Sequence, residues 1–159
     1  MNREEHLELI WKKIHAIRTS WKNPAQLNAL LIEWEANFGP KYHDLAKELI
    51  AAQTRKVWAD LASSRGEHNA IDDLVRYLWE DWEEGEFTIA KNDTGTQIYC
   101  TKCPIADAYR SIKKEHYGLL FHCSEDPYIV EGFNSAIKFQ RTKTCMNDDC
   151  CDHHYSLKE

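Results

Sequence analysis

The residues best suited to chemistry lie in the last 60 positions, which hold all six cysteines. The segment 145–155 alone carries three Cys, three Asp and two His, the side chains that bind zinc and other thiophilic metals. If this segment is a strand, Cys151 and His153 face one side while Asp152 and His154 face the other. It therefore cannot supply a four-ligand site by itself.

Cys100 and Cys103 form a CxxC pair, a spacing found both in metal sites and in redox pairs. Pro104 predicts that a helix begins just after Cys103. The dipole of that helix would lower the pKa of the Cys103 thiol, which predicts Cys103 as the activated thiol. The alternative is that both cysteines are small buried apolar residues.

A further group at Cys123–Asp126 places a thiol and two carboxylates directly ahead of Pro127. Asp126 suits a metal ligand or a general base, although either acid could instead cap the helix. Cys103, Cys123 and Cys151 come from three different predicted elements, each near its end. We expect these three thiols to converge on one site.

The first 84 residues are predicted to be helical, because their apolar residues recur at gaps of three and four. Breaks at Asn23-Pro24, Gly39-Pro40 and 63–66 divide them into about four helices. Five of the six tryptophans lie on or beside the apolar stripes. Core packing or a helical dimer face is the interpretation we prefer over a ligand-binding aromatic box.

After Gly85 the pattern changes to short alternating runs typical of strands. The predicted fold class is α+β, with a helical region 1–84 and a small cysteine-rich ββααββ antiparallel-sheet region 85–159 packed as one unit. The predicted strands cover 87–90, 96–100, 137–144 and 151–157, and helices begin at Pro104 and Pro127.

The charge and the hydropathy of the chain argue against nucleic acids and membranes as partners. The 159-residue chain has a net charge of -6, and its 20 basic residues form no block, which argues against nucleic-acid binding. No apolar run approaches the roughly 18 residues of a membrane span, and the acidic start differs from a secretory signal. We therefore expect a cytoplasmic protein with reduced thiols and a small-molecule partner.

Four motifs together resemble the L-2-amino-thiazoline-4-carboxylic acid hydrolase family. They are Cys103-Pro104-Ile105-Ala106-Asp107-Ala108, Cys123-Ser124-Glu125-Asp126, Glu131-Gly132-Phe133-Asn134 and Arg141-Thr142-Lys143-Thr144 through Asp148 to Cys151-Asp152. The resemblance covers roughly 85–155, and it extends to the 4-vinyl-reductase-like small-molecule-binding domains. The chain departs from the family pattern at Ser135, Asn147 and His153, where the pattern has Pro, Gly and an aromatic residue.

The resemblance implies that water adds to the ring carbon of a cyclic amidine and that the ring sulfur leaves, giving an N-carbamoyl-cysteine-like product. It implies that a cation, Arg141 or Lys143, holds the substrate carboxylate, and we expect Asn134 to bind substrate as well. Either a metal such as zinc or a carboxylate would activate the water, unless Cys103 attacks directly. The catalytic candidates are Cys103, Cys123, Asp126, Asp148 and Cys151, and the candidate metal ligands are Cys103, Cys123 and Cys151.

A second hypothesis comes from a different functional class. The chain could be a non-catalytic sensor or binding module, zinc-stabilised or not, like the related small-molecule-binding domains. Under either hypothesis we expect a homo-oligomer, in which the aromatic-rich helices bury surface against a second copy.

Overall fold

The structure is a computed structural model that describes residues 1–66 and 69–159. Helices come first, and an antiparallel sheet with further helices among its strands follows, which confirms the α+β fold class. The helices are α1 (Arg3–Thr19), α2 (Pro24–Asn37), α3 (His43–Arg65), α4 (Ile71–Val75), α5 (Pro104–Ser111), α6 (Glu115–Phe121) and α7 (Asp126–Phe133). The strands are β1 (Glu86–Asn92), β2 (Gly95–Lys102), β3 (Ile137–Gln140) and β4 (Cys151–Leu157).

The first helices begin and end where the sequence signals place them. The Asn2 side chain accepts a hydrogen bond from the Glu5 amide, and Asn23 does the same for Gln26 ahead of the Pro24 that opens α2. The helix α4 continues without a break into a π-helical turn, Arg76–Glu80. The prediction of about four helices before the sheet is therefore confirmed.

The four strands lie in the order β1-β2-β4-β3, and every neighbouring pair is antiparallel. In the β2–β4 register Cys100 lies opposite Cys151, and Ile98 lies opposite His153. The pairing of β2 with β4 therefore brings the CxxC segment next to the cysteine-rich tail.

The prediction of two helices between the strand pairs is wrong, because α6 is a third helix there. Its sequence has no capping signal, and it contains a glycine, Gly118. Most of its residues are buried, namely Tyr117, Gly118, Leu120 and Phe121. A short helix buried on most sides shows no amphipathic stripe, so tertiary packing decides its existence.

The predicted strand 137–144 is too long, because β3 ends at Gln140. The amides of Thr142 and Lys143 donate to the Asp152 carboxylate, at 2.8 and 2.6 Å, instead of pairing with a strand. The Thr142 hydroxyl donates to the same carboxylate. One side chain of β4 thus anchors a loop, 141–150, where alternation predicted a strand.

The long helix α3 packs closely against α7, and a glycine permits this approach. A Cβ atom at Gly132 would lie 2.5 Å from the Arg55 carbonyl oxygen and 2.9 Å from the Arg55 Cα. Both are backbone atoms, which cannot move without shifting the helix. Within the described residues, no helix is long and apolar enough to cross a lipid bilayer.

We therefore expect Gly132→Ala to lower the free energy of unfolding by about 1–3 kcal/mol, despite the better helix propensity of alanine. Gly118→Ala is the matched control, because the added methyl would meet mainly the flexible end of Met146. Urea unfolding of both variants measures the difference. Equal stability of the two variants would contradict the close α3–α7 contact.

Candidate active site

A cavity of about 410 Å³ lies between the Arg76–Glu80 turn and the sheet. Cys103, Cys123 and Cys151 all line it, together with Asp126. The three thiols that the sequence places far apart are therefore brought to one cavity.

Each of these residues stands at the boundary of an element. Cys103 follows β2 and is the N-cap of α5, and Cys123 opens a 3-10 turn directly after α6. Asp126 is the first residue of α7, and Cys151 is the first residue of β4. Because these residues stand at the ends of elements, their short side chains reach the cavity. In the middle of a helix, the same side chains would pack against a neighbouring helix.

Asp126 forms an ion pair with Arg141, and the side chains of the two residues are only 19% and 20% exposed. The same Arg141 nitrogen, Nη1, also donates to the Cys123 carbonyl at 3.1 Å. Burial raises the pKa of Asp126 to about 7, against the opposing charge of Arg141. A carboxyl group with this pKa can exchange a proton near neutral pH.

His153 connects Asp126 to a chain of buried polar groups. The Trp79 indole Nε1 donates to the Tyr155 hydroxyl at 3.0 Å, and that hydroxyl lies 3.2 Å from His153 Nδ1. Because Tyr155 accepts from the indole, its own proton is directed at Nδ1, and the imidazole proton is assigned to Nε2. His153 Nε2 lies 3.6 Å from Asp126 Oδ2. Burial lowers the pKa of His153 to about 3, so the ring is neutral at pH 7.

The thiols of the cavity favour the protonated form. Burial raises the pKa of Cys103, although hydrogen bonds from the Ala106 and Ile105 amides oppose the shift. The prediction that the helix lowers the pKa of Cys103 is therefore wrong in its net direction, because desolvation outweighs the helix terminus. Burial and the Asp126 charge likewise raise the pKa of Cys123.

Cys151 lies in a small cluster of sulfur atoms and is not an isolated ligand. Its Sγ accepts a hydrogen bond from the Cys145 amide at 3.0 Å. The pKa of the Cys151 thiol is raised, mainly by a hydrogen bond with the Cys145 side chain and to a smaller extent by burial.

The arrangement does not fit a preformed zinc site. Across residues 1–66 and 69–159, no group of three or more His, Cys, Asp or Glu side chains is placed to hold a metal ion. Cys103, Cys123 and Cys151 line one cavity without converging on one point as tetrahedral ligands do. Their assignment as metal ligands stays a prediction.

Four predicted site residues are not among those that line this cavity in the described chain, namely Arg141, which contacts Asp126 instead, and Asn134, Asp148 and Lys143. Asn134 holds a turn, since its Nδ2 donates to the Asn69 carbonyl and its Oδ1 accepts from the Ala136 amide. The Asp148 carboxylate accepts from the Thr144 amide at 3.1 Å, in the loop before β4. Lys143 is exposed on the same loop.

The sequence pattern missed part of the cavity wall. Trp79 is buried, as the helical stripe predicts, yet it lines the cavity together with Trp82. His122, which no motif singled out, also lines it, and burial lowers the pKa of His122 to about 3. Trp79 belongs to the hydrophobic core and Trp82 packs against it, as the preference for core packing predicts, and both also face the cavity. For His122, its adjacency to Cys123 was the available signal.

The hydrogen-bonded chain of Trp79, Tyr155 and His153 is expected to contribute to the stability of the fold. Tyr155→Phe removes the hydroxyl that partners both Trp79 Nε1 and His153 Nδ1. We expect a loss of about 1–3 kcal/mol in unfolding free energy, because two buried polar atoms lose their partner. Tyr99→Phe, at a 47% exposed position in the same sheet, is the control and should change stability little. Similar urea midpoints for the two variants would argue against this chain.

Comparison with known proteins gives one family. The family described as L-2-amino-thiazoline-4-carboxylic acid hydrolase matches residues 20–155, nearly the whole chain, including the residues that line the cavity. Neither the curated proteins nor the solved structures give a significant match. The family name implies a hydrolase. With a match of this extent over this fold, the chain belongs to the L-2-amino-thiazoline-4-carboxylic acid hydrolase family.

Proposed function

We propose that the protein is a hydrolase that opens a thiazoline-type cyclic amidine in the 410 Å³ cavity. The substrate class is L-2-amino-thiazoline-4-carboxylate-like, and the product class is N-carbamoyl-cysteine-like. Family membership supports the reaction class, and the cavity has the size of a small-molecule site. Its wall is apolar and aromatic around a few polar groups, which suits a small ring.

The observation that carries the proposal is Asp126, a carboxyl group in the cavity wall with its pKa raised to about 7. A general base works best when its pKa lies near the working pH. The cavity thiols are poorer candidates for attack, because burial raises the pKa of Cys103 and Cys123 and little thiolate forms at neutral pH. We therefore assign activation of water to Asp126.

The reaction proceeds in two steps. Asp126 takes one proton from water as the oxygen bonds to the carbon between nitrogen and sulfur of the protonated amidine, and the C=N electron pair moves to nitrogen. In the second step the C–S bond breaks, the C=O bond forms, and the hydroxyl proton is released to solvent. The leaving sulfur takes the proton that Asp126 accepted, which restores the carboxylate and leaves a free thiol on the product.

The charges of the wall favour the amidine end of the substrate. The described wall contains the carboxylates Asp81, Glu125 and Asp126 and no Lys or Arg side chain. An amidinium group pairs with a carboxylate through two parallel hydrogen bonds, as a guanidinium does. Arg141 contacts Asp126 and not the cavity, so we assign it a positioning role on that carboxylate.

The first test is hydrolysis of 2-aminothiazoline-4-carboxylate by the purified protein, followed as thiol release. We expect Asp126→Asn to lower the rate by about 10²–10⁴-fold, because an amide cannot accept the proton from water. The matched control is Asp93→Asn, an exposed acid in the β1–β2 turn, which should retain the full rate. Unfolding midpoints of both variants separate lost chemistry from lost fold.

The cysteines distinguish the two routes of attack. If Asp126 activates water, Cys103→Ser and Cys151→Ser should keep most of the activity. Their control is Cys150→Ser, because Cys150 is the neighbour of Cys151 in the sequence and is not among the residues that line the described cavity wall. Complete loss of turnover in Cys103→Ser, with its fold intact, would replace Asp126 by Cys103 as the attacking group. Tight binding of the thiazoline without thiol release would instead favour the sensor hypothesis.

The contact between Arg141 and Asp126 predicts that substitution of Arg141 shifts the pH dependence of the hydrolysis rate. Because Asp126 acts as a base, the rate should rise with pH through the pKa of Asp126, about 7. The positive charge of Arg141 opposes the rise in that pKa, so Arg141→Met should move the rising limb to higher pH, and Arg141→Lys should move it less. The profile of kcat against pH measures this. A lower rate with an unmoved limb would mean that Arg141 has only a structural role.

A further inference from the structure

A second cavity of about 260 Å³ adjoins the candidate active site. Cys123 lines both cavities, whereas Arg141 lines only the second in the described chain. The other basic residues of the second wall come from α3 and α6, namely His43, Lys47 and His116. The wall thus combines basic side chains from two helices and the loop after β3.

This wall is short of negative charge. Its described lining residues include Lys47 and Arg141, which are cationic at neutral pH, two histidines, and no Asp or Glu. Burial, then the charges of His116 and Lys47, lower the pKa of His43. Asp44, the neighbour of His43 on α3, opposes that shift only as the smallest contribution. A cluster of like charges in a partly enclosed space favours binding of an anion.

Two side chains of the wall have polar groups without a partner in the described chain. His43 Nε2 is buried from solvent and makes no hydrogen bond there. Arg141 uses Nη1 for both of its hydrogen bonds, to Asp126 and to the Cys123 carbonyl, so other N–H groups of its guanidinium have no described acceptor. Because Arg141 lines this cavity, its remaining N–H groups can donate to the oxygens of a bound anion.

We propose that the second cavity binds a phosphoryl dianion, either inorganic phosphate or the phosphate group of a small phosphomonoester. The two negative charges of a dianion match the two cations, Lys47 and Arg141, and the guanidinium fork matches phosphate oxygens. The volume is below the usual range for drug-sized ligands, so the ligand is small. Leu119 and Leu120 form an apolar part of the wall that suits a short organic substituent.

The test is a titration of the whole protein with sodium phosphate at constant ionic strength, followed by calorimetry and by the imidazole NMR signals of His43 and His116. We expect Lys47→Ala and His116→Ala each to weaken binding by about tenfold, the effect of losing one charge-assisted contact. Lys56→Ala is the matched control, because this exposed lysine lies on the same helix and does not line the described wall. It should leave the affinity unchanged.

Titrations with two further ligands, glycerol 2-phosphate and acetate, identify the class of anion that the second cavity binds. Binding of glycerol 2-phosphate more tightly than inorganic phosphate assigns the site to phosphomonoesters, and the reverse order assigns it to free phosphate. Acetate that binds as tightly as phosphate would overturn the dianion assignment. Absence of phosphate binding, or equal weakening by the Lys56 and Lys47 variants, would overturn the site itself. These measurements need no turnover, so they stand apart from the hydrolase proposal.

Discussion

The contact between Asp126 and Arg141 joins the parts of the molecule that matter for function. It links the start of α7 to the loop after β3, and Arg141 also donates to the Cys123 carbonyl at the start of the 3-10 turn. A mostly buried carboxylate costs desolvation free energy, which its partner offsets only in part. The balance leaves Asp126 with a pKa of about 7, between the value of a free acid and that of an isolated buried one.

Carboxylates elsewhere in the cysteine-rich tail serve the backbone. Asp152 accepts the amides of Thr142 and Lys143, and Asp148 accepts the amide of Thr144. These bonds hold the loop 141–150 and thereby place Arg141 beside Asp126. The acid-rich composition that suggests metal binding in the sequence is thus explained in large part by the needs of an irregular loop, whose amides have no strand partner.

Burial sets the chemical character of the cavity. It raises the pKa values of Cys103 and Cys123 and lowers that of His153, so the neutral forms prevail near pH 7. Among the described residues of the wall, Asp126 therefore combines access to the cavity with a pKa suited to proton transfer. His153 places a neutral imidazole against it and is itself oriented by Tyr155.

Local signals in the sequence were sufficient for most of the elements. Asn23 and the prolines at 24 and 104 mark helix starts through hydrogen bonds and dihedral angles that act within one turn, so no distant residue is needed to predict them. Alternation correctly placed Cys151 and His153 on one side of β4, because strand side chains alternate whatever the partner. The existence of α6, the end of β3 at Gln140 and the pKa values of Cys103 and Asp126 were decided only by tertiary structure. Each depends on packing, on a hydrogen-bond partner distant in sequence or on exclusion of water, and spacing along the chain contains no record of these long-range contacts.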